Sequence, residues 1–201
     1  RMPDDWDITT SAKPEDTKRI FRRTVDTGIQ HGTVTVMVDR TGYEVTTYRI
    51  DGEYADGRHP EHVTFTASLL EDLKRRDFTI NAMAYNPEQG VIDIFGGQED
   101  LEKGIIRCVG EASERFDEDA LRILRAVRFA AQLDFVIEDQ TREAMRDQAK
   151  FLKDISAERI CTELTKMIVS KHPERLEEAY ELGLTNIFLP EFDRMMQTPQ
   201  N

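Results

Sequence analysis

Residues 117–135 read DEDALRILRAVRFAAQLDF, and the folding of this run decides how the chain around it is organised. Its apolar residues Ala120, Ile123, Leu124, Val127, Ala130 and Ala131 recur at three- and four-residue steps, the period of an α-helix with one buried face. Asp119, Arg122, Arg125 and Arg128 stand off that face, each three residues after the last, so they form a stripe that drifts slowly around the helix. A guanidinium presents a rigid fork of donors that suits phosphate, and with a carboxylate beside it the pair can read the edge of a base. A plainer reading stands next to this one. Glu118 and Asp119 precede Arg122 by four and three residues, the favourable order for intrahelical ion pairs worth about 0.2–0.5 kcal/mol each. Taken alone, the stripe fits a solvated charged face at least as well, and the rest of the chain has to decide.

With 201 residues and 39% hydrophobic content, the chain can bury one or two ordinary cores. No apolar run approaches the roughly 18 residues of a membrane span, and no signal-peptide pattern opens the chain, so no membrane association is expected. Cys108 and Cys161 are isolated, which suggests neither a zinc site nor a disulfide framework and points to a reduced, cytoplasmic compartment. A net charge of −12 argues against broad electrostatic binding of nucleic acid by this chain alone. It leaves nucleic-acid chemistry open, because a metal-dependent site needs carboxylates.

Such carboxylates occur early. In DDWDITT (residues 4–10), an extended backbone would project Asp5 and Asp7 to the same side. Two carboxylates so placed can converge on magnesium, a hard cation that takes oxygen ligands. Nucleotidyl transfer commonly uses two such ions about 3.5–4 Å apart. A lone D-x-D also fits a surface turn. Pro14 opens a short helix, PEDTKRIFRR. TVTVMV (33–38) alternates as a strand does, and with YEVTTYRI (43–50) it predicts a β-hairpin around Asp39–Gly42. Glu44 lies on the second strand facing away from Val45, either as a third carboxylate of a metal cradle or as a solvent-facing edge residue. The stretch 51–63, DGEYADGRHPEHV, reads as an aperiodic loop whose His59 and His62 lack further ligands nearby.

SLLEDLKRRDFTINAMAY (68–85) predicts a helix ending in Lys74, Arg75 and Arg76. A second short helix over TINAMAY would follow, capped by Asp77 or Thr79. Arg76 beside a capped helix start is a candidate phosphate contact. Short strands around a brief helix fit VIDIFGGQEDLEKGIIRCVG (91–110). Beyond Glu111 strand signals vanish, and helices are expected over the stripe and over roughly 138–152, 156–170 and 173–183, the last but one with Arg159 in its first turn. The composition shift predicts two domains, 1–110 and 111–201.

Read together, these stretches resemble the class II tRNA nucleotidyltransferases, the CCA-adding enzymes and their bacterial poly(A) polymerase relatives, of the polymerase-β-like superfamily. DWDITT looks like the family's metal-binding motif, and RRDFTINAMAY like its second signature. IDIFGGQEDLEKGIIR looks like the segment linking head to neck, EDALR like the nucleotide-templating motif, and SAERICTELTKMI like the helix that braces it. The resemblance implies an α+β fold, a mixed-sheet nucleotidyltransferase head followed by an all-helical neck. It implies magnesium-dependent transfer of C and A from CTP and ATP to the tRNA 3′ end, with pyrophosphate released. Poly(A) polymerases and A-adding enzymes share these motifs, and an inactive nucleotide- or RNA-binding module of the same fold is the non-enzyme alternative. By the resemblance Asp5 and Asp7 bind the metal, Glu44 is the third carboxylate, and Arg76, Asp119, Arg122, Arg125 and Arg128 contact the nucleotide. The family's G-G-x-x-R-D motif does not precede the D-x-D and its helical body and tail do not follow, so a fragment is expected.

Base selection follows from chemistry. Cytosine and adenine both present an exocyclic amine beside an unprotonated ring nitrogen, whereas uracil and guanine reverse that order. A carboxylate accepting from the amine and a guanidinium donating to the ring nitrogen therefore accept C and A. Asp119 with Arg122 would supply that pair.

Overall fold

The computed structural model of the protein describes residues 6–52 and 63–199, which fall into two compact units, 6–52 with 63–75 and 76–199.

The first unit contains β1 (Asp7–Thr10), α1 (Pro14–Ile20), β2 (Thr24–Gly28), β3 (Thr33–Val38), β4 (Thr41–Thr47), β5 (Arg49–Asp51), β6 (Val63–Phe65) and α2 (Leu69–Lys74). Four strands form a mixed sheet in the order β1-β4-β3-β2, with β4 parallel to β1 and antiparallel to β3. The expected hairpin is β3–β4. Its alternation drives it: Val34 pairs with Val45 across the ladder, and both are buried. Asp39 turns the chain with φ 54°, a left-handed conformation that Asp tolerates. β2 was not expected, because TVDTG lies at the sheet edge with three of its five residues exposed and carries no apolar alternation. Ser68 caps α2 by accepting from the Glu71 amide. The fully buried Asp72 carboxylate on α2 accepts from the Arg49 amide at 3.2 Å and from Arg75 Nη2 at 3.0 Å, which fastens the helix to β5.

The second unit contains β7 (Met83–Asn86), β8 (Gly90–Asp93), α3 (Gly97–Lys103), β9 (Ile105–Ile106), α4 (Ala112–Glu118), α5 (Leu121–Leu133), β10 (Val136–Ile137), α6 (Asp139–Gln148), α7 (Ala157–Ile168), α8 (Leu176–Glu181), α9 (Thr185–Phe188) and α10 (Pro190–Met196). TINAMAY is not a helix. It makes one 3-10 turn at Thr79–Asn81 and then enters β7, because Asp77 accepts from the Phe78 amide, the Asn81 side chain and Arg125 rather than capping a longer helix, and Met83–Asn86 finds a partner in β8. Asp93 caps α3 by accepting from the amides of Gly97 and Gln98, each at 2.8 Å. Partial burial opposes its charge, but these backbone donors prevail and hold its carboxyl below the usual range. Gly97 admits no side chain, since a Cβ there would stand 2.3 Å from the Thr79 carbonyl oxygen.

α5 is the axis of this unit and packs against α4, α7, α8 and β10. Its predicted apolar residues are all buried, Ile123, Val127, Ala130 and Ala131 completely. Each large one contributes roughly 1.5–3 kcal/mol by leaving water. The opposite face is not solvated either. Arg122 and Arg128 are 9% and 7% exposed, so this helix is enclosed nearly all round, and the solvated-face reading of the stripe is overturned. Nor is the run 117–135 one helix. α4 ends at Glu118, and Asp119 takes an extended conformation (φ −153°, ψ 102°) before α5 begins. The Asp119 carboxylate accepts from the Leu121 amide at 3.0 Å, a local bond that competes with helix continuation.

The helices expected near 138–152, 156–170 and 173–183 are present as α6, α7 and α8, the first and last extended by 3-10 turns. The helical half also keeps one short strand, β10, parallel to β9. The fold is thus α+β, a mixed sheet followed by a predominantly helical unit. Compactness breaks at Arg75, well before the composition shift near residue 111. Among the described residues no helix is long and apolar enough to cross a membrane.

Candidate active site

The predicted site residues divide between the two units. In the first, Asp5 lies outside the described residues, as do His59 and His62. Asp7 and Glu44 are brought together: they are Cα partners in the parallel ladder of β1 and β4, so their side chains share a face. Both are exposed, and neither has a cationic partner among the described residues. Like charges directly opposite on neighbouring strands repel, and a hard cation relieves that repulsion while taking oxygen ligands. The donor set therefore fits magnesium in kind. Among the described residues no group of three or more His, Cys, Asp or Glu could hold a metal, and Asp5, predicted to bind it with Asp7 and Glu44, lies outside them.

In the second unit every member of the stripe has a protein partner. Arg122 Nη1 lies 2.5 Å from Glu118 Oε2 and 3.1 Å from the Arg115 carbonyl. That is the i, i+4 pair expected from sequence, though it bridges the break between α4 and α5 rather than one helix. Asp119 does not pair with Arg122. Its Oδ2 accepts from Arg159 Nη2 of α7 at 2.6 Å. Arg125 Nη2 reaches Asp77 Oδ2 at 2.5 Å, so the second signature and the stripe are joined by an ion pair. Arg128 Nε lies 2.5 Å from Glu163 Oε2, its Nη1 bonds to Gln132, and its guanidinium lies 3.9 Å from the centre of the Phe129 ring. Phe129 in turn meets Phe78 edge to face at 5.8 Å. Arg76 Nη1 donates to the Asn81 carbonyl at 3.2 Å.

Asp77, Arg159 and Glu163 complete this constellation and were not assigned to it from the sequence. A signal for the last two exists. Arg159 and Glu163 sit four residues apart on α7, beside the apolar series Ile160, Leu164 and Met167 that faces the core. Charges at the margin of a buried face, with opposite charges awaiting partners on a neighbouring helix, indicate interhelical pairs. A cleft of about 800 Å³ opens beside Arg107, Cys108, Glu138, Thr141 and Gln148, and it contains none of the predicted site residues.

Comparison with known proteins bears on the family and the fold. Residues 1–107 match the model of the Poly A polymerase head domain, and residues 134–196 that of a probable RNA and SrmB binding site of polymerase A. The CCA-adding enzyme of Lactiplantibacillus plantarum is 51% identical over 192 residues, covering 96% of this chain and 46% of that protein. That of Pediococcus pentosaceus is 52% identical over 197 residues, covering 98% and 50%. The chain thus spans about half the length of the curated relatives it matches. Among solved structures, the Bacillus stearothermophilus CCA-adding enzyme in complex with CTP superposes with a TM-score of 0.82 at 45% identity, covering 92% of this chain and 45% of that one. The Thermotoga maritima CCA-adding enzyme complexed with tRNA gives 0.70 at 27% identity, covering 93% and 42%. With that head-domain model matched over residues 1–107, more than half of the chain, the protein belongs to the Poly A polymerase head-domain family.

Proposed function

We propose that this chain carries the nucleotidyl-transfer part of an enzyme that adds C and A to the 3′ end of tRNA, with CTP and ATP as donors. The observation that carries the transfer reading is the pairing of Asp7 with Glu44, two carboxylates in register without a cationic partner among the described residues. A terminal ribose hydroxyl attacks the α-phosphate of the triphosphate in line, and pyrophosphate leaves. Asp7 and Glu44, with Asp5, would hold magnesium. Magnesium ions bound there would lower the pKa of the attacking hydroxyl and neutralise charge on the leaving oxygens. Arg76 and Arg125 bind and orient the triphosphate. For Arg128, a phosphate would have to replace Glu163 as its partner. Asp119 accepts from the exocyclic amine of C or A and Arg122 donates to the ring nitrogen, so U and G leave enclosed charged groups facing like partners.

The names of the relatives favour CCA addition over poly(A) synthesis or A addition alone. Residues 1–110 act as the head and 111–201 as the neck and start of the body, in a reduced cytoplasmic setting supported by two free cysteines. The test supplies the full-length protein with tRNA lacking its 3′ end and each triphosphate in turn. Incorporation from CTP and then ATP is expected, with none from UTP or GTP. A long A tail on any RNA, or no incorporation at all, overturns the reading.

A further inference from the structure

The cleft of about 800 Å³ in the second unit holds none of the residues assigned to nucleotide chemistry, and its charge is of one sign. Glu111, Glu138, Glu143 and Asp147 line it against a single cation, Arg107. That guanidinium is already taken, with Nε 3.0 Å from Asp100 Oδ2 and Nη1 3.0 Å from Glu138 Oε1. Glu138 also accepts from the Thr141 amide at 2.9 Å, so the start of α6 has its capping anion within the protein. Glu111, Glu143 and Asp147 are exposed and have no cationic partner among the described residues. Glu143 and Asp147 stand one turn apart on the cleft side of α6. Such positions are about 5–6 Å apart at Cβ, and like charges at this spacing repel. A second observation is independent of these charges. Gln148, next on the same helix and 9% exposed, also lines the cleft. Its Nε2 donates to the Ser113 carbonyl at 3.1 Å and to Asp117 Oδ1 at 2.5 Å. Both partners accept, which fixes the amide's orientation and leaves Oε1 a buried acceptor with no donor among the described residues. Buried acceptors in native proteins are satisfied as a rule, so this one calls for a donor from outside the chain.

We propose that this cleft is a binding site for a small organic polycation, a linear polyamine whose ammonium groups meet Glu111, Glu143, Asp147 and the Gln148 carbonyl oxygen. The lining repels anions, and a metal ion is the poorer fit. Among the described residues no group of three or more His, Cys, Asp or Glu could hold one. An ammonium group brings several donors, enough for a carboxylate and an amide oxygen together. A linear polyamine spaces its charges by three or four methylenes, a span close to one helical turn. Ala144 and Phe95 offer apolar surface to the methylenes between. The volume lies within the roughly 300–1,000 Å³ of small-molecule sites.

The experiment titrates spermidine into the full-length protein by calorimetry, without nucleotide or tRNA, in about 0.15 M salt to screen diffuse attraction. It compares the wild type, E143Q/D147N, Q148L and E177Q, with a thermal melt of each. Glu177 is exposed on α8 and does not line the cleft. One saturable site is expected in the wild type, weakened roughly tenfold or more in E143Q/D147N, about threefold or more in Q148L, and unchanged in E177Q. Absence of saturable binding overturns the proposal, as does unaltered affinity in either cleft variant. Equal weakening in E177Q and E143Q/D147N also overturns it, because the attraction would then be to the net charge of −12 and not to the cleft. A parallel titration with magnesium chloride separates the two kinds of cation. Tighter magnesium binding that disappears in E143Q/D147N would make this a metal site and sink the polyamine. Should Q148L fail to fold, E143Q/D147N decides, since both of its positions are exposed.

Discussion

The two groups of charged side chains in this protein are held in opposite ways. Asp7 and Glu44 stand side by side on a sheet, exposed, of like sign and without a cationic partner among the described residues. Around α5, Asp119, Arg122, Arg125 and Arg128 are enclosed or half-enclosed, and each has an opposite charge within 2.7 Å. The first arrangement leaves a repulsion for a ligand to relieve. The second leaves almost nothing to relieve, because burying a guanidinium without a partner would be prohibitive. What its members gain is direction: a charge held by a neighbouring helix points one way. A metal site can be built from uncompensated charge, whereas a site that must tell one base edge from another needs charges already aimed.

The largest test of this contrast is Asp7→Ala. Incorporation should fall by several orders of magnitude, because metal-held charge supplies much of such barriers. The thermal midpoint should hold or rise slightly, since a repulsive pair is lost. Near-wild-type turnover would remove the first half of the contrast. Next comes Glu163→Gln, which strands Arg128 in a site where it is 7% exposed. Breaking a buried pair by removing one partner costs about 3–5 kcal/mol, read as a fall in denaturation midpoint. A cost within a few tenths of a kcal/mol would mean that the stripe is solvated after all. The smallest effect concerns the cysteines. Burial pushes the Cys108 thiol up to about 12, so it stays protonated as well as enclosed at pH 8, while Cys161 is exposed. A thiol reagent should modify one cysteine in the native protein and both after unfolding. Rapid modification of both would show that the packing around α5 opens readily.

The apolar periodicity of α5, the β3–β4 hairpin and the helix α2 were legible because each depends on residues near one another in sequence. Three features were not. The break at Asp119 depends on a single side chain choosing the Leu121 amide over the helix, within an otherwise uninterrupted helical pattern. TINAMAY has good helix formers, yet β8 captures Met83–Asn86 as a strand. The burial of Arg122 and Arg128 depends on Glu118 at a helix junction and on Glu163, 35 positions away. Of the candidate site, the carboxylates on β1 and β4 could be read from strand alternation. Of the partners that hold the stripe, Glu118 was expected from its i, i+4 spacing, whereas Asp77, Arg159 and Glu163 lie 35 to 48 positions away on other elements and were not assigned.

The Asp77–Arg125 pair has a consequence for the order in which the protein takes shape. Its members are 48 positions apart, and the backbone around Asp77 is bridged to Arg107 and Val109. Residues 105–106 are themselves paired with 136–137 through β9 and β10. The RRDF segment therefore acquires its ladder bonds only after about thirty further residues have been synthesised, and its counter-ion only after about fifty, when α5 has docked. Contacts of such long sequence separation come late, because the intervening loop must close first. On an emerging chain the sheet of the first unit can form while Asp77 still waits for its arginine.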